Sequence, residues 1–547
     1  MKPLGAVALA ALVVLAAGCS GAGDTDIAAV DAGSYYENYE SQDTDSMTGS
    51  SSSAAAGSAG TSGAPGAPGA SQPYGPDQRA PGVLEDNTFV DAGTSTFLDP
   101  RERPQSTFAV DVDNGSYRVA RTLLDEGHLP PQESVRVEEW VNSFDSGFPA
   151  PQRDDLELRS DQAITPDRDG TRLVRIGLQG REVPDEEWAP VAVTMVVDTS
   201  GSMDIGSRLG LVKASLALLV QNLRSDDTIA IVTYQTDAEP LLEPTPVRRA
   251  DTILGAIEHL KAGGSTNLEA GLMLGYDQAR EAARPGAINV VLLASDGVAN
   301  VGVTDGGQLA TAIRDNGRNG IHLVTVGYGM GNYNDHLMEQ LADRGDGFYA
   351  YVDTFEEAKQ LFVRDLRATL TPIAKDAKIQ VEFDPETVAA YRLIGYENRA
   401  LDDADFNDPS VDAGEVGSGH RVTALYEVRP TARAREGDRL GTARVRWQPV
   451  STVAGLSEEQ DNDDAKTVAV QREDAISLTL GPAASAHGTL GVAAAVADIA
   501  DYVKHGVRDG EVPARDGLQR RIDALVEEST PGATELAALW AEVVEAR

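Results

Sequence analysis

Three short stretches of the chain carry oxygen-bearing side chains at spacings that suit a hard metal ion. Asp198-Thr199-Ser200-Gly201-Ser202-Met203 sets one carboxylate and two hydroxyls on alternate residues. Asp198, Ser200 and Ser202 converge on one point if the loop folds around it. Gly263-Gly264-Ser265-Thr266 brings a hydroxyl near the start of an expected helix, and Ser295-Asp296-Gly297 adds a second carboxylate. Together, Asp198, Ser200, Ser202, Thr266 and Asp296 offer only hard oxygens. Such donors suit Mg2+ with retained waters, with Mn2+ and Ca2+ as the other oxygen-seeking ions. Neutral hydroxyl ligands leave the ion only partly neutralised. An open coordination position then favours an Asp or Glu carboxylate from a protein partner, which a site made wholly of carboxylates would repel. The competing reading is capping hydroxyls and turn aspartates with no metal.

The elements that must position these side chains are legible on either side of them. Residues 191–197 form a continuous run of buried-strand character, and 228–234, 288–294 and 321–326 are the next strands. Helical spacing separates or follows these runs at 208–223, 250–261, 268–283, 308–316 and 354–366. Strands alternating with helices predict an α/β domain, a doubly wound and mostly parallel sheet with helices on both faces. Ligands of such sheets sit beyond the carboxyl ends of the strands, where the three stretches lie. Outside this domain, residues 172–178, 378–383, 421–428, 442–447 and 466–470 have strand character between turn signals. These flanks are expected to pair into one β-rich domain with the α/β domain inserted between its strands. Residues 490–503, 518–526 and 534–546 repeat apolar side chains at helical spacing and are expected to pack on the neighbouring domain.

The five oxygen residues in this order resemble the metal-ion-dependent adhesion site of von Willebrand factor type A domains. The resemblance implies the Rossmann-like fold of those domains. It also implies that Ser200, Ser202 and Thr266 contact the metal directly, and Asp198 and Asp296 directly or through water. The likeness extends beyond the triplet. Phe108-Ala109-Val110-Asp111-Val112-Asp113-Asn114-Gly115-Ser116-Tyr117, then Leu129-Pro130-Pro131 and Val135-Arg136-Val137-Glu138-Glu139, resemble the amino-terminal region of bacterial YfbK-like proteins. Gly327-Tyr328-Gly329-Met330-Gly331-Asn332-Tyr333-Asn334-Asp335 and Tyr391-Arg392-Leu393-Ile394-Gly395-Tyr396-Glu397-Asn398-Arg399 are similar to that family too. The resemblance runs from about Ser106 to the carboxyl end and is strongest up to Pro430. Asn267-Leu268-Glu269 departs from it, because family members more often carry small residues there. Glu269 is therefore a candidate for altering metal affinity or partner choice.

The amino terminus reads as an address. After Met1-Lys2, residues 4–17 are almost wholly apolar and end in Leu15-Ala16-Ala17-Gly18-Cys19. The run is too short for a permanent membrane span but suits a secretion signal. Its end resembles the lipobox of bacterial lipoproteins, which implies a diacylglycerol on the Cys19 thiol and cleavage before it. The lipid would then be the only membrane attachment. The expected location is the extracytoplasmic face of the cell membrane, or the outer membrane in a cell that has two. From residue 20 to 101 the chain is dominated by Gly, Ser, Ala, Pro, Asp and Thr and cannot bury enough apolar area to fold. A spacer of about 80 such residues would hold the folded part ~50 Å from its anchor. The expected divisions are thus 1–19 signal, 20–101 spacer, 102–186 amino-terminal flank, 187–371 α/β domain, 372–480 β-rich region and 481–547 helical region.

Bulk composition narrows the function. Of 547 residues, 86 are Asp or Glu and 46 are Lys or Arg, giving a formal charge of −40, which repels phosphate backbones and disfavours nucleic acid as a partner. Cys19 is the only cysteine, so no internal disulfide forms. The seven histidines are scattered without zinc-site spacing. The preferred reading is a surface binding module and not an enzyme. A metal-dependent hydrolase is the alternative, since a metal beside hydroxyls can activate water, but the three loops hold no histidine. The Gly327–Gly331 run lacks the Lys-Ser/Thr ending of a phosphate loop and is expected to need small residues for packing. Asp111 and Asp113, beside Asn114-Gly115, are expected to shape a turn. A third possibility is an envelope scaffold whose metal only stabilises its loops.

Overall fold

The computed structural model describes residues 31–39, 93–110, 114–165, 170–184, 187–284, 286–296, 306–329, 335–365, 370–408, 411, 413–450, 471–505 and 515–546. Cys19, Asp111, Asp113, Gly297 and the strand expected at 466–470 lie outside these residues. Among the described residues, no helix is long and apolar enough to cross a membrane.

Ahead of the central domain come helix α1 (Ser34–Glu37), strand β1 (Gln105–Ala109), helices α2 (Gly115–Asp125) and α3 (Val137–Asn142), and strands β2 (Leu156–Ile164) and β3 (Arg172–Gly180). The central domain runs β4 (Val191–Asp198), α4 (Arg208–Asn222), β5 (Thr228–Tyr234), β6 (Ala238–Pro246), α5 (Ala250–Glu258) and α6 (Leu268–Ala282). It continues through β7 (Ile288–Ser295), α7 (Gly306–Arg318), β8 (Ile321–Tyr328), α8 (Asp335–Arg344), β9 (Tyr349–Val352) and α9 (Phe355–Lys359). After it follow β10 (Pro372–Phe383), β11 (Val388–Ile394), β12 (Ala400–Leu401), β13 (Val416–Gly417), β14 (Arg421–Pro430), β15 (Arg439–Pro449) and β16 (Arg472–Thr479). Helices α10 (Gly488–His505), α11 (Arg515–Glu527) and α12 (Ala533–Glu545) complete the chain.

The central sheet has the order β6-β5-β4-β7-β8-β9, parallel except for the antiparallel edge strand β6. Every residue of β4 is buried, as an apolar strand covered by helices on both faces must be. Strand β6 is largely half-buried and carries Pro240, Pro244 and Pro246, which cannot donate ladder hydrogen bonds and so belong at an edge. Because β5 lies on one side of β4 and β7 on the other, the winding direction reverses at β4. This reversal opens a crevice at the carboxyl end of β4, where α/β sheets bind ligands.

The flanks pair as expected. Strand β1 lies antiparallel on β10, with Phe108 opposite Ile379, and β3 lies on β14, with Ile176 opposite Ala424. Two antiparallel sheets, β12-β1-β10-β15-β16 and β11-β14-β3-β2, enclose a core that includes Phe108, Ile176, Ile379 and Tyr426. The central domain is therefore inserted between β3 and β10. The third core was not foreseen. Tyr117, Trp140 and Phe144 from the α2–α3 region pack with Val496, Leu536 and Trp540, so the front of the chain completes the carboxyl-terminal helices.

A buried polar network locks the junction of these parts. Arg136 Nη1 lies 2.6 Å from Glu339 Oε2 on α8 and 3.1 Å from Glu139 Oε1. Arg399 Nη2 reaches Glu339 Oε1 at 3.2 Å. Glu138, beside this network, is 2% exposed. Burial, then the charges of Glu139 and Glu397, push its carboxyl up to about 7 against the opposing pull of Arg399.

Candidate functional site

Asp198 ends β4 level with Tyr234 of β5, and Val197 pairs with Ala294 of β7. This register brings the stretch after β4 beside the one after β7. The chain then turns through Gly201–Ser207, where Gly206 (φ +58) and Ser207 (φ +62) are left-handed, before α4 begins. The turn returns the serines towards Asp198. Asp198 Oδ1 accepts from the Ser200 amide at 2.8 Å, and the Ser200 and Ser202 hydroxyls lie 3.1 Å apart.

Backbone hydrogen bonds bring the third stretch to the first. The Gly263 amide donates to Thr199 O at 2.8 Å, and the Gly201 amide to Gly264 O at 3.2 Å. Gly264 has φ +77, a left-handed conformation that favours glycine. The Asn267 amide donates to Gln235 O, and its side chain caps α6 by accepting from Ala270 N at 3.2 Å. Helix α6 itself is seated by two glycines. A Cβ on Gly271 would meet Tyr234 at 2.6 Å, and one on Gly275 would meet Val196 at 2.3 Å. The asparagine that departs from the family pattern thus starts the helix behind Thr266. Glu269 stands on the first turn of α6, half-buried.

Asp198 and Asp296 are fully buried, Ser200 and Thr266 are 1% exposed, and Ser202 is half-buried. Gly201 and Gly264 beside them are exposed, so among the described residues this edge of the cluster carries little side-chain bulk. Behind it, Ser295 Oγ donates to Asp198 Oδ2 at 2.9 Å, and the Tyr234 hydroxyl reaches the same oxygen at 3.3 Å. Burial, and then the charge of Asp296, push the Asp198 carboxyl up to about 7, while hydrogen bonds from Ser200 and Ser295 oppose the rise. Arg208, first residue of α4 and nearly buried, donates from Nη1 to Asp296 Oδ2 at 3.0 Å. Two buried carboxylates face one guanidinium here, and the hydroxyls beside them are neutral. The donor set therefore fits a divalent cation, which would relieve the remaining repulsion.

The structure links Asp198, Ser200, Ser202 and Asp296 at one strand edge and holds the Thr266 loop against them. Arg208, Ser295 and Tyr234 were not singled out from the sequence. An arginine opening a helix looks like a surface charge, and only its place next to the Asp-x-Ser-x-Ser turn hints otherwise. Of the Gly327–Gly331 run, Met330 and Gly331 lie outside the described residues, but Gly329 (φ +77) leaves room for Arg208, whose Nε would be 2.3 Å from a Cβ there.

Comparisons with known proteins agree with this architecture. The family model of the von Willebrand factor type A domain matches residues 192–364. A model described as von Willebrand factor matches 83–175, and one described as the C-terminal part of the uncharacterized protein YfbK matches 368–475. The chain is 38% identical over 361 residues to the uncharacterized protein YfbK of Escherichia coli (strain K12), covering 64% of this chain and 62% of that protein. It is 28% identical over 219 residues to the uncharacterized protein sll0103 of Synechocystis sp., covering 39% of this chain and 50% of that one. The matches thus span from half to about six tenths of these relatives' length. A solved von Willebrand factor type A structure from Catenulispora acidiphila aligns with TM-score 0.39 at 14% identity, over 74% of this chain and 97% of that one.

Proposed function

We propose, for a chain that carries a von Willebrand factor type A domain and the C-terminal domain of YfbK, that the crevice at the end of β4 holds Mg2+ and binds a protein partner through it. Ser200, Ser202 and Thr266 would hold the ion, with Asp198 and Asp296 acting directly or through water. The bound ion supplies a partly neutralised positive centre that an Asp or Glu side chain of the partner completes. The protein's own residues do the rest. Arg208 balances Asp296 within the fold, Ser295 and Tyr234 fix the orientation of Asp198, and the exposed glycines beside the site leave room for an approaching side chain. The domain is read as a binding module and not a catalyst, placed on the extracytoplasmic face by a lipid on Cys19.

The observation that carries this reading is the buried pair Asp198 and Asp296 beside a hydroxyl pair 3.1 Å apart. Cross-linking on intact cells tests it, with wild type and Asp198→Ala compared in Mg2+ and in chelator. A partner should be captured only by wild type in Mg2+, while the variant keeps its circular dichroism spectrum. Equal capture in chelator, or by the variant, would sink the proposal.

A further inference from the structure

The spacer expected over residues 20–101 is interrupted. Residues 31–39, Asp-Ala-Gly-Ser-Tyr-Tyr-Glu-Asn-Tyr, form a single turn around α1 and lie along α4 of the central domain. This corrects the expectation for these nine positions, because Ala32 is 5% exposed and Tyr35, Tyr36 and Tyr39 pack against the central core. The expectation is corrected at 93–101 too, where Leu98 exchanges backbone hydrogen bonds with Tyr391. The Tyr39 hydroxyl donates to Asp204 Oδ1 at 2.7 Å, and Lys213 Nζ stands 5.8 Å from the centre of the Tyr39 ring. Gly33 is buried close to Phe355 of α9, where a Cβ would lie 3.1 Å from its ring.

An independent feature of α4 fits this occupant. Gly210 sits inside the helix, where glycine is weaker than alanine. The three atoms nearest a Cβ built there belong to Tyr39 (2.7 and 2.8 Å) and Tyr35 (carbonyl oxygen, 3.1 Å). The notch in α4 is therefore filled by the segment itself. Its contact point matters as well, since Asp204 belongs to the Gly201–Ser207 turn that follows Ser200 and includes Ser202.

We propose that the groove along α4, formed by Asp204, Gly210 and Lys213, is a peptide-binding surface whose occupant is the chain's own tyrosine-rich segment 31–39, and that the docked segment braces the turn carrying Ser202. The bracing rests on the metal reading above; the docking does not. Tethered in the same chain, the segment docks in an intramolecular event, so a contact of this size is populated without high affinity. Release of the segment would loosen the Ser202 turn.

Hydrogen exchange on the full chain tests the docking. The amides of Tyr36, Glu37 and Asn38 donate to Gly33 O and Ser34 O, and should exchange about 10-fold or more slowly than an unstructured peptide. Gly210→Ala should return them to the unstructured rate while α4 stays as protected as before. Unstructured exchange in wild type, or full protection in Gly210→Ala, would overturn the docking. Calorimetric Mg2+ titration tests the bracing, with affinity about 5-fold or more weaker expected in Gly210→Ala. Equal affinities would overturn the bracing. Failure of both proteins to bind Mg2+ would sink the metal reading and the bracing with it, leaving the docking to be decided by exchange.

Discussion

Glu138→Gln is expected to stabilise this protein at neutral pH and to leave it unchanged in acid. The carboxyl is buried at the junction of the inserted domain and its flanks, with its value raised from 4.5 to about 7. A raised carboxyl means that the folded state keeps a proton the unfolded state has released. Stability therefore falls as pH rises from about 4.5 to about 7 and is level above that. At ~1.4 kcal/mol per unit, the loss is on the order of 3 kcal/mol. Glutamine fills the same space without the charge, so the variant should lack this loss. Urea unfolding followed by tryptophan fluorescence, to which the neighbouring buried Trp140 contributes, measures it at intervals between pH 4.5 and 8. The difference between the two proteins should open from near zero to its full value across that window. Asp198 and Asp353 are raised in the same range but are common to both proteins and cancel. Parallel curves, or a variant less stable at pH 8, would refute the reasoning.

Four further substitutions probe the framework. Glu339→Gln leaves Arg136 and Arg399 buried with only the Glu139 carboxylate between them and should cost about 3 kcal/mol in urea unfolding, and a loss below 1 would contradict the junction described here. Gly275→Ala drives a methyl into Val196 and should cost ~1–3 kcal/mol and weaken Mg2+ binding through displacement of α6, despite the better helix former. Gly255→Ala in α5, where a Cβ meets nothing within 4 Å, is the control and should be neutral or stabilising by up to ~1 kcal/mol. Arg208→Met removes the guanidinium facing Asp296, so the metal-free protein should melt lower and gain more from added Mg2+ than wild type does.

Much of the site was legible because its parts are local. A largely apolar run ending at Asp198, then hydroxyls on alternate residues, signals a strand and its loop without tertiary information, and Asp296 follows another largely apolar strand. The insertion was legible because strand character resumed at 378–383 after the last helix of the central domain. Other features depend on partners far apart in sequence. Arg208 meets Asp296 only after the sheet has formed. The α2–α3 region belongs to the same core as α10–α12 although nearly the whole chain lies between them. The strand expected at 466–470 falls outside the described residues, and β16 occupies 472–479. The segment 31–39 was lost to averaging, because nine residues with three tyrosines barely alter the composition of a long Gly/Ser/Ala/Pro stretch.

The account turns on a cation at the end of β4. Anomalous scattering from crystals of the full chain soaked in Mn2+ tests it directly. One strong peak is predicted ~2.1 Å from the Ser200, Ser202 and Thr266 hydroxyls, lost in Thr266→Ala crystals. A map without density at that point, or with Mn2+ bound only elsewhere, would contradict it.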